Sequence, residues 1–143
     1  MNKSYFARGT SSSTDNTRWQ SSKTIYDPCP PGYRVPDGGS NGIWLKALGS
    51  SSSFTDLSLY DSIKEGFNFS AKFGNAPTIW YPLSGRLTDH AGELYRVCKD
   101  GLYWAVTPID NHASHFSFFD NGRIYPSGKE NRTVGCAVRC CKE

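Results

Sequence analysis

Asp27-Pro28-Cys29-Pro30-Pro31-Gly32-Tyr33-Arg34-Val35-Pro36 is the stretch on which the fold reading turns. Its counterpart near the other end of the chain is Gly135-Cys136-Ala137-Val138-Arg139-Cys140-Cys141. Each sets a cysteine beside a short strand-like signal, Tyr33-Arg34-Val35 in the first and Ala137-Val138-Arg139 in the second. Pro36 and the turn Asp37-Gly38-Gly39 stop the first strand, because proline has no N–H for a ladder and glycine readily reverses the chain. A bond between Cys29 and Cys140, if formed, closes nearly the whole chain into one loop. Such a fold leaves its middle free for long loops, an architecture for binding rather than for a buried reaction centre.

The chain has 143 residues, enough for one domain with a real core. Only 37% of residues are hydrophobic while 14% are aromatic, so rings must supply much of the burial. Fourteen glycines, eight prolines and many serines imply frequent turns and few long helices. Sixteen basic and thirteen acidic residues give a formal charge of +3, mixed along the chain. That excess serves solubility and is no footprint for nucleic acid. The five cysteines favour an oxidising compartment, although an odd count leaves at least one thiol unpaired. Their positions do not give the paired spacing of a zinc site. No apolar run is long enough to span a membrane, and Met1 does not open a secretory signal. An exported protein would therefore contain this chain as a mature fragment or domain.

Residues 1–18 read as a polar linker or leading segment, with Tyr5 and Phe6 as its strong apolar residues, and 19–143 as a single domain. Thr24-Ile25-Tyr26 predicts a short strand. Ile43-Trp44-Leu45-Lys46-Ala47-Leu48 predicts a brief helix stopped by Gly49, and Gly49 to Ser53 a serine-rich loop. Strand signals follow at Ile79-Trp80-Tyr81-Pro82, Leu94-Tyr95-Arg96-Val97 and Leu102-Tyr103-Trp104-Ala105-Val106. His115-Phe116-Ser117-Phe118-Phe119 alternates, with Phe116 and Phe118 on one face. Asp120-Asn121-Gly122 is a hairpin turn, and Arg123-Ile124-Tyr125 returns with Ile124 inward. Ala137 to Cys141 closes the sheet. The expected class is α+β, with one or two short helices and a loop-rich, mainly antiparallel sheet.

Lys23-Thr24-Ile25-Tyr26 followed by the proline-rich cysteine segment resembles the opening signature of the Fibrobacter succinogenes major paralogous domain, found in fimbrillin-like surface proteins of gut bacteria. Ile79-Trp80-Tyr81-Pro82, Gly101-Leu102-Tyr103-Trp104, Arg132, Gly135 and Val138-Arg139-Cys140 match in order, so the resemblance covers roughly residues 19–143. It implies a C-type-lectin-like or formylglycine-generating-enzyme-like fold with adjacent N- and C-terminal strands. It also favours Cys29–Cys140 as a structural disulfide over a pair of buried thiols. Two departures fall in the last forty residues or so: Ala105-Val106 replaces a serine or threonine after the Tyr-Trp pair, and Cys136 and Cys141 are extra. Residues 109–125 also resemble the diversified tail of variable proteins of diversity-generating retroelements, with unlike side chains between the teeth of a fixed apolar comb.

The candidate ligand-binding set is Trp104, Ile109, Asp110, His112, His115, Ser117, Phe119, Asp120, Arg123 and Tyr125. Alternation predicts His115, Ser117, Phe119, Arg123 and Tyr125 on the outer face, a composition suited to a recognition hot spot. The competing reading covers Phe119 with the loop at 84–93. Cys98 and Cys136 offer a second disulfide or two free thiols, and Cys141 points away from Cys140. Trp19, Trp44, Trp80 and Trp104 read as core residues, with Trp104 best placed to reach a ligand. His112-x-x-His115 with Asp110 and Asp120 is a poor metal set, since residues three apart on a strand point opposite ways. The Glu-Pro-Asn, Gln-Pro-Asp and Trp-Asn-Asp strings of calcium-dependent lectins are missing from the sequence. No metal or cofactor is expected. Enzymes of the related fold use reactive cysteines, but no matching substrate-groove motif accompanies Cys136 and Cys141. The expectation is a non-enzymatic ligand-display domain, extracellular or on a bacterial cell surface or phage particle. Its partner is a protein or glycan on a cell surface. The alternative is an assembly module of a fimbria-like adhesin.

Overall fold

Two of the three longest strands among the described residues come from runs rich in aromatic and β-branched residues, which fit a pleated, well-covered surface. A computed structural model describes residues 15–50, 52–70, 72 and 79–143. Within it, β1 is Tyr33–Arg34, α1 is Ile43–Leu48, β2 is Phe54–Thr55, β3 is Tyr60–Asp61, β4 is Gly66–Asn68 and β5 is Trp80–Pro82. Then come β6 (Arg86–Leu87), β7 (Leu94–Tyr95), β8 (Asp100–Ile109), β9 (His112–Phe119), β10 (Arg123–Asn131) and β11 (Cys141–Lys142). Short 3-10 turns occupy Gly39–Asn41 and Leu57–Leu59. The class is α+β as expected: mainly antiparallel sheet with few short helices. Among the described residues no helix is long and apolar enough to cross a membrane.

The central sheet has the order β2-β10-β9-β8. Ile124 pairs with Phe118 across β9 and β10, and Trp104 pairs with His115 across β8 and β9. Both hairpins contain a register shift, between Trp104 and Pro108 and between Tyr125 and Gly128. The expected turn at Asp120-Asn121-Gly122 is present, with Gly122 at φ 83°, where a side chain would be strained. The sheet β3-β4-β5 packs on one face of the central sheet. There Phe67, Phe69, Tyr81, Phe116 and Phe118 form an aromatic cluster, with Phe67 and Phe118 centroids 4.8 Å apart. Trp44 of α1 stacks on Phe116 at 5.1 Å and donates its indole N–H to the Tyr81 hydroxyl at 2.9 Å. The high ring content of the sequence is concentrated here, where each ring removes a large apolar area from water.

A second, smaller core lies on the opposite face, built from Trp19, Cys29, Val35, Trp104, Val106, Ala113 and Val134. Cys29 and Cys140 are joined by a disulfide, with Cα atoms 5.8 Å apart. Beside it β1 pairs with β11, so the first and last strands are adjacent. The proline-rich segment is positioned by Asp27, whose buried carboxylate accepts the backbone N–H groups of Cys29 (2.8 Å) and Val35 (3.0 Å). Lys23 Nζ meets the same carboxylate at 3.2 Å and donates to the carbonyls of Cys29 and Tyr33. A charged hub thus satisfies backbone groups of Cys29, Tyr33 and Val35 in a segment whose prolines interrupt any regular ladder.

Several expectations need correction. Thr24-Ile25-Tyr26 is a turn, closed by the Asp27 N–H on the Thr24 carbonyl at 3.1 Å. The strand expected over residues 94–97 ends at Tyr95, because Arg96 and Cys98 take positive φ angles of 54° and 63°. The closing strand is Cys141–Lys142, and Ala137 makes a single parallel bridge to Tyr103. Cys98 and Cys136 carry free thiols, so the second disulfide does not form. Cys141, on the face away from Cys140, is half-buried, its thiol 3.5 Å from the Arg34 carbonyl. Trp19, Trp44 and Trp104 are buried, while Trp80 is half-buried. Of the leading segment, residues 1–14, with Tyr5 and Phe6, lie outside the described residues, as does Ser51 of the serine-rich loop.

Candidate recognition surfaces

The ten residues singled out from the sequence do not form one surface. β9 has eight residues, and at about 3.3 Å per residue its ends lie roughly 25 Å apart. Ile109, Asp110 and His112 sit at the β8–β9 turn, while Phe119, Asp120, Arg123 and Tyr125 sit at the β9–β10 turn. Trp104, His115 and Ser117 lie between them.

The β8–β9 turn is held from below by Arg132. This guanidinium is buried and donates to the carbonyls of Asp110 (2.9 Å) and His112 (2.9 Å). It also reaches the Asp15 carbonyl at 3.1 Å and the Asn16 side-chain oxygen at 2.6 Å. The planar fork suits several acceptors at once, so Arg132 locks the turn to the leading segment. Asp110 takes φ 53° in this turn. Among the described residues no group of three His, Cys, Asp or Glu side chains could hold a metal ion.

The middle of the hairpin is not an outer face. Ser117 is 1% exposed and His115 is 8% exposed, contrary to the outward placement that alternation predicts. The reason is a second covering layer. The Gly85 N–H bonds the Asp100 carbonyl at 2.7 Å, bringing the β6–β7 hairpin onto the end of β8. Residues 133–140 return beside it, with Ala137 bonded to Leu102 and Trp104, and Leu87 bonded to Gly135. The His115 ring lies 6.2 Å from that of Trp104, and an added Cβ on Gly128 would fall 2.3 Å from its Cε1. Burial pushes the His115 pKa down to about 4, which keeps the imidazole neutral.

At the β9–β10 end the geometry differs. The Tyr125 ring packs edge-on against Phe119 at 5.7 Å, and the Arg123 guanidinium lies 5.0 Å over the Tyr125 ring. Arg123 is exposed and reaches Ser53 Oγ at 3.5 Å; among the described residues it has no acidic partner. Phe119 is half-buried, with Tyr125 rather than the loop at 84–93 as its ring partner. Asp120 is half-buried and paired with Lys99 at 3.4 Å. Leu57, an exposed side chain, lies against Gly122 beside this stack.

The covering layer carries a cleft of about 630 Å³, lined by residues of both the 84–94 and the 133–140 segments. Trp104 is the one residue of the sequence-derived set that lines it, together with Trp19, Leu87, Leu94, Val134 and Val138. Arg86, Asp89 and the Cys136 thiol also line it, and burial pushes the Cys136 pKa well above the usual thiol range. A protonated thiol is a weak nucleophile, so burial works against activation of this sulfur. Sequence reasoning missed Arg86, Leu87, Val134 and Val138 as cleft residues, and Arg132 as the turn clamp. No local pattern marks them, because the lining of the cleft comes from segments far apart in the chain.

No family model, no curated protein and no solved structure matches this chain.

Proposed function

We propose that this chain is a non-enzymatic ligand-recognition domain that engages a protein or glycan through the end of the β9–β10 hairpin. The carrying observation is the stack of Phe119, Tyr125 and Arg123, whose guanidinium lies over a ring and has no acidic partner among the described residues. Aromatic and arginine side chains held in place before contact lose little entropy on binding, which is why such groups dominate interface energies. The Cys29–Cys140 disulfide supports display in an oxidising compartment, on a bacterial surface protein or phage particle. A C-type-lectin-like scaffold of the Fibrobacter succinogenes major paralogous type belongs to this reading. So does diversification of residues 109–125 by a retroelement. A template repeat beside a reverse transcriptase gene would support diversification, and its absence from the genome would sink that part alone.

The binding claim is tested with labelled protein on a glycan array and on intact bacterial cells. Arg123→Ala and Tyr125→Ala should each weaken any binding seen by roughly 30-fold, the effect of a hot-spot residue. Melting should be unchanged. Equal binding by parent and variants would overturn the assignment of this surface. One observation favours the assembly alternative: Leu94 is 72% exposed on β7, with Tyr95 and Val97 half-exposed beside it. An apolar edge of this kind invites pairing with another chain. Oligomers that dissociate on Leu94→Lys would support that role.

A further inference from the structure

Toward the β8–β9 end of the central sheet, a second hollow of about 360 Å³ is lined by residues of three segments, 16–21, 37–41 and 106–108. The segments are tied to one another in pairs. Ser21 Oγ donates to Asp37 Oδ1 at 2.7 Å. The Gly38 N–H donates to Thr107 Oγ1 at 3.0 Å, and that hydroxyl donates back to the Gly38 carbonyl at 3.1 Å. Arg132 makes the third tie, since it bonds Asn16 Oδ1 at 2.6 Å and the carbonyl of Asp110, just past the end of β8, at 2.9 Å. A lining fixed in this way loses little freedom when a ligand arrives.

Most of that lining is neutral and polar. Asn16, Gln20 and Asn41 line it with exposed amides, which carry donors and an acceptor each. Arg132 bonds the Asn16 oxygen and leaves its NH2 as the donor side, while Gln20 donates Nε2 to the Thr17 carbonyl at 3.0 Å and keeps Oε1 as an acceptor. Ser21 has given its hydrogen to Asp37, so its oxygen is left to accept. Asp37 is the one charged side chain among the described lining residues, and Arg34, at 2.7 Å, and Ser21 already hold its two oxygens. The apolar part is small: Trp19 and Val106, both buried, and the exposed Pro108. Donors and acceptors around a small apolar patch suit a hydroxyl-rich ring, whose hydroxyls need partners of both kinds and whose C–H groups need none.

We propose that this hollow binds a neutral saccharide, a single sugar ring or the end of a short chain. The sugar hydroxyls bond Asn16, Gln20 and Asn41, and a C–H edge rests on Pro108. A volume of about 360 Å³ lies at the small end of ligand sites, which fits a ligand of this size. The site is independent of the hairpin-end reading, whose residues sit at the other end of β9.

The probes are the methyl glycosides of glucose, galactose, mannose, fucose and N-acetylglucosamine, with glucuronate as the charged comparison. Each is titrated into the intact, disulfide-bonded chain and followed by proton–nitrogen NMR. At least one neutral probe should give saturable amide shifts, confined to the segments 15–21, 37–41 and 106–112. Gln20→Ala and Asn41→Ala should each weaken that probe about fivefold, the effect of one lost hydrogen bond, with melting unchanged because both side chains are exposed. Ile63→Asp, at a site 92% exposed and far from these segments in sequence, should leave the affinity as it is. Absence of saturable shifts with every neutral probe would overturn the proposal. So would parental affinity in both alanine variants, or shifts centred on other segments. Glucuronate binding tenfold tighter than the neutral glucoside would also overturn it, since charge and not the hydroxyl pattern would then select the ligand. Arg123→Ala should leave these titrations untouched, so failure of the hairpin-end reading and failure of this one are told apart.

Discussion

His115 shows how one side chain changes meaning when its surroundings are known. It is buried against Trp104 and the Gly128 backbone, and its Nδ1 has no hydrogen-bond partner among the described residues. Burial lowers its pKa from 6.5 to about 4, with the Glu130 charge acting in the opposite direction and less strongly. As pH falls, the unfolded chain therefore binds the proton before the folded one does. The contribution of neutral His115 is intact above pH 6.5 and is lost between 6.5 and about 4. By pH 4 the loss should approach about 3 kcal/mol as an upper value. Urea unfolding across this window should show stability falling with acid in the parent and a flatter dependence in His115→Met. Equal slopes would show that other groups carry the acid sensitivity. From the sequence, His115 is a polar tooth on an alternating strand. Nothing local to residues 115–119 announces that Gly85 and Ala137 will bring a second layer over it.

Elements were legible where their signals are local. Ile43–Leu48 is the expected helix, because its apolar face is flanked by Gly42 before it and Gly49 after it. Gly49 takes φ 68°, and its N–H caps the Leu45 carbonyl at 3.0 Å. A Cβ added there would meet nothing within 4 Å, so the cost of Gly49→Ala is conformational alone. Chemical denaturation should show a loss of about 1 kcal/mol, the usual penalty for a non-glycine residue in the left-handed cap. A neutral result would mean that the helix end relaxes to another cap. The hairpin turn at residues 120–122 was equally readable, since Asn-Gly specifies its own backbone geometry. β7 was not. Its early end depends on the Arg96 guanidinium bonding Asp100 and on the Cys98 N–H bonding Leu83 at 2.8 Å, contacts that hold two residues at positive φ. The turn at residues 24–26 likewise follows from Lys23 and Asp27, which together hold the backbone around Cys29.

At the scale of the whole molecule, the Cys29–Cys140 bond spans 111 residues and ties the β1–β11 pair beside the second core. In the chain-entropy picture a loop of this size stabilises by about 4–5 kcal/mol. That is a large share of a domain's typical total of about 5–15 kcal/mol. Thermal unfolding with and without reductant should therefore show a strong drop for the parent. Cys29→Ser should melt at the reduced parent's temperature and ignore the reductant. An unchanged melt for Cys29→Ser would show that β1–β11 pairing and the second core suffice alone. The same organisation sets the candidate sites. Two faces of one sheet are covered, the larger by the aromatic cluster and the smaller by returning segments, while an end of the hairpin and a cleft in the covering layer stay open.

The sequence by itself determined the α+β class, the single α-helix among the described residues, the β9–β10 turn and the inward comb of Phe116, Phe118 and Ile124. Each rests on periodicity or turn chemistry that acts over a few residues. The cysteine pairing was readable through the resemblance of the flanking motifs. Tertiary structure alone decided that His115 and Ser117 are buried, that Arg132 locks the β8–β9 turn, and that the 84–94 and 133–140 segments line one cleft. Alternation specifies which residues share a face of a strand. What covers that face depends on segments distant in the chain, and their arrival is fixed only when the whole core packs.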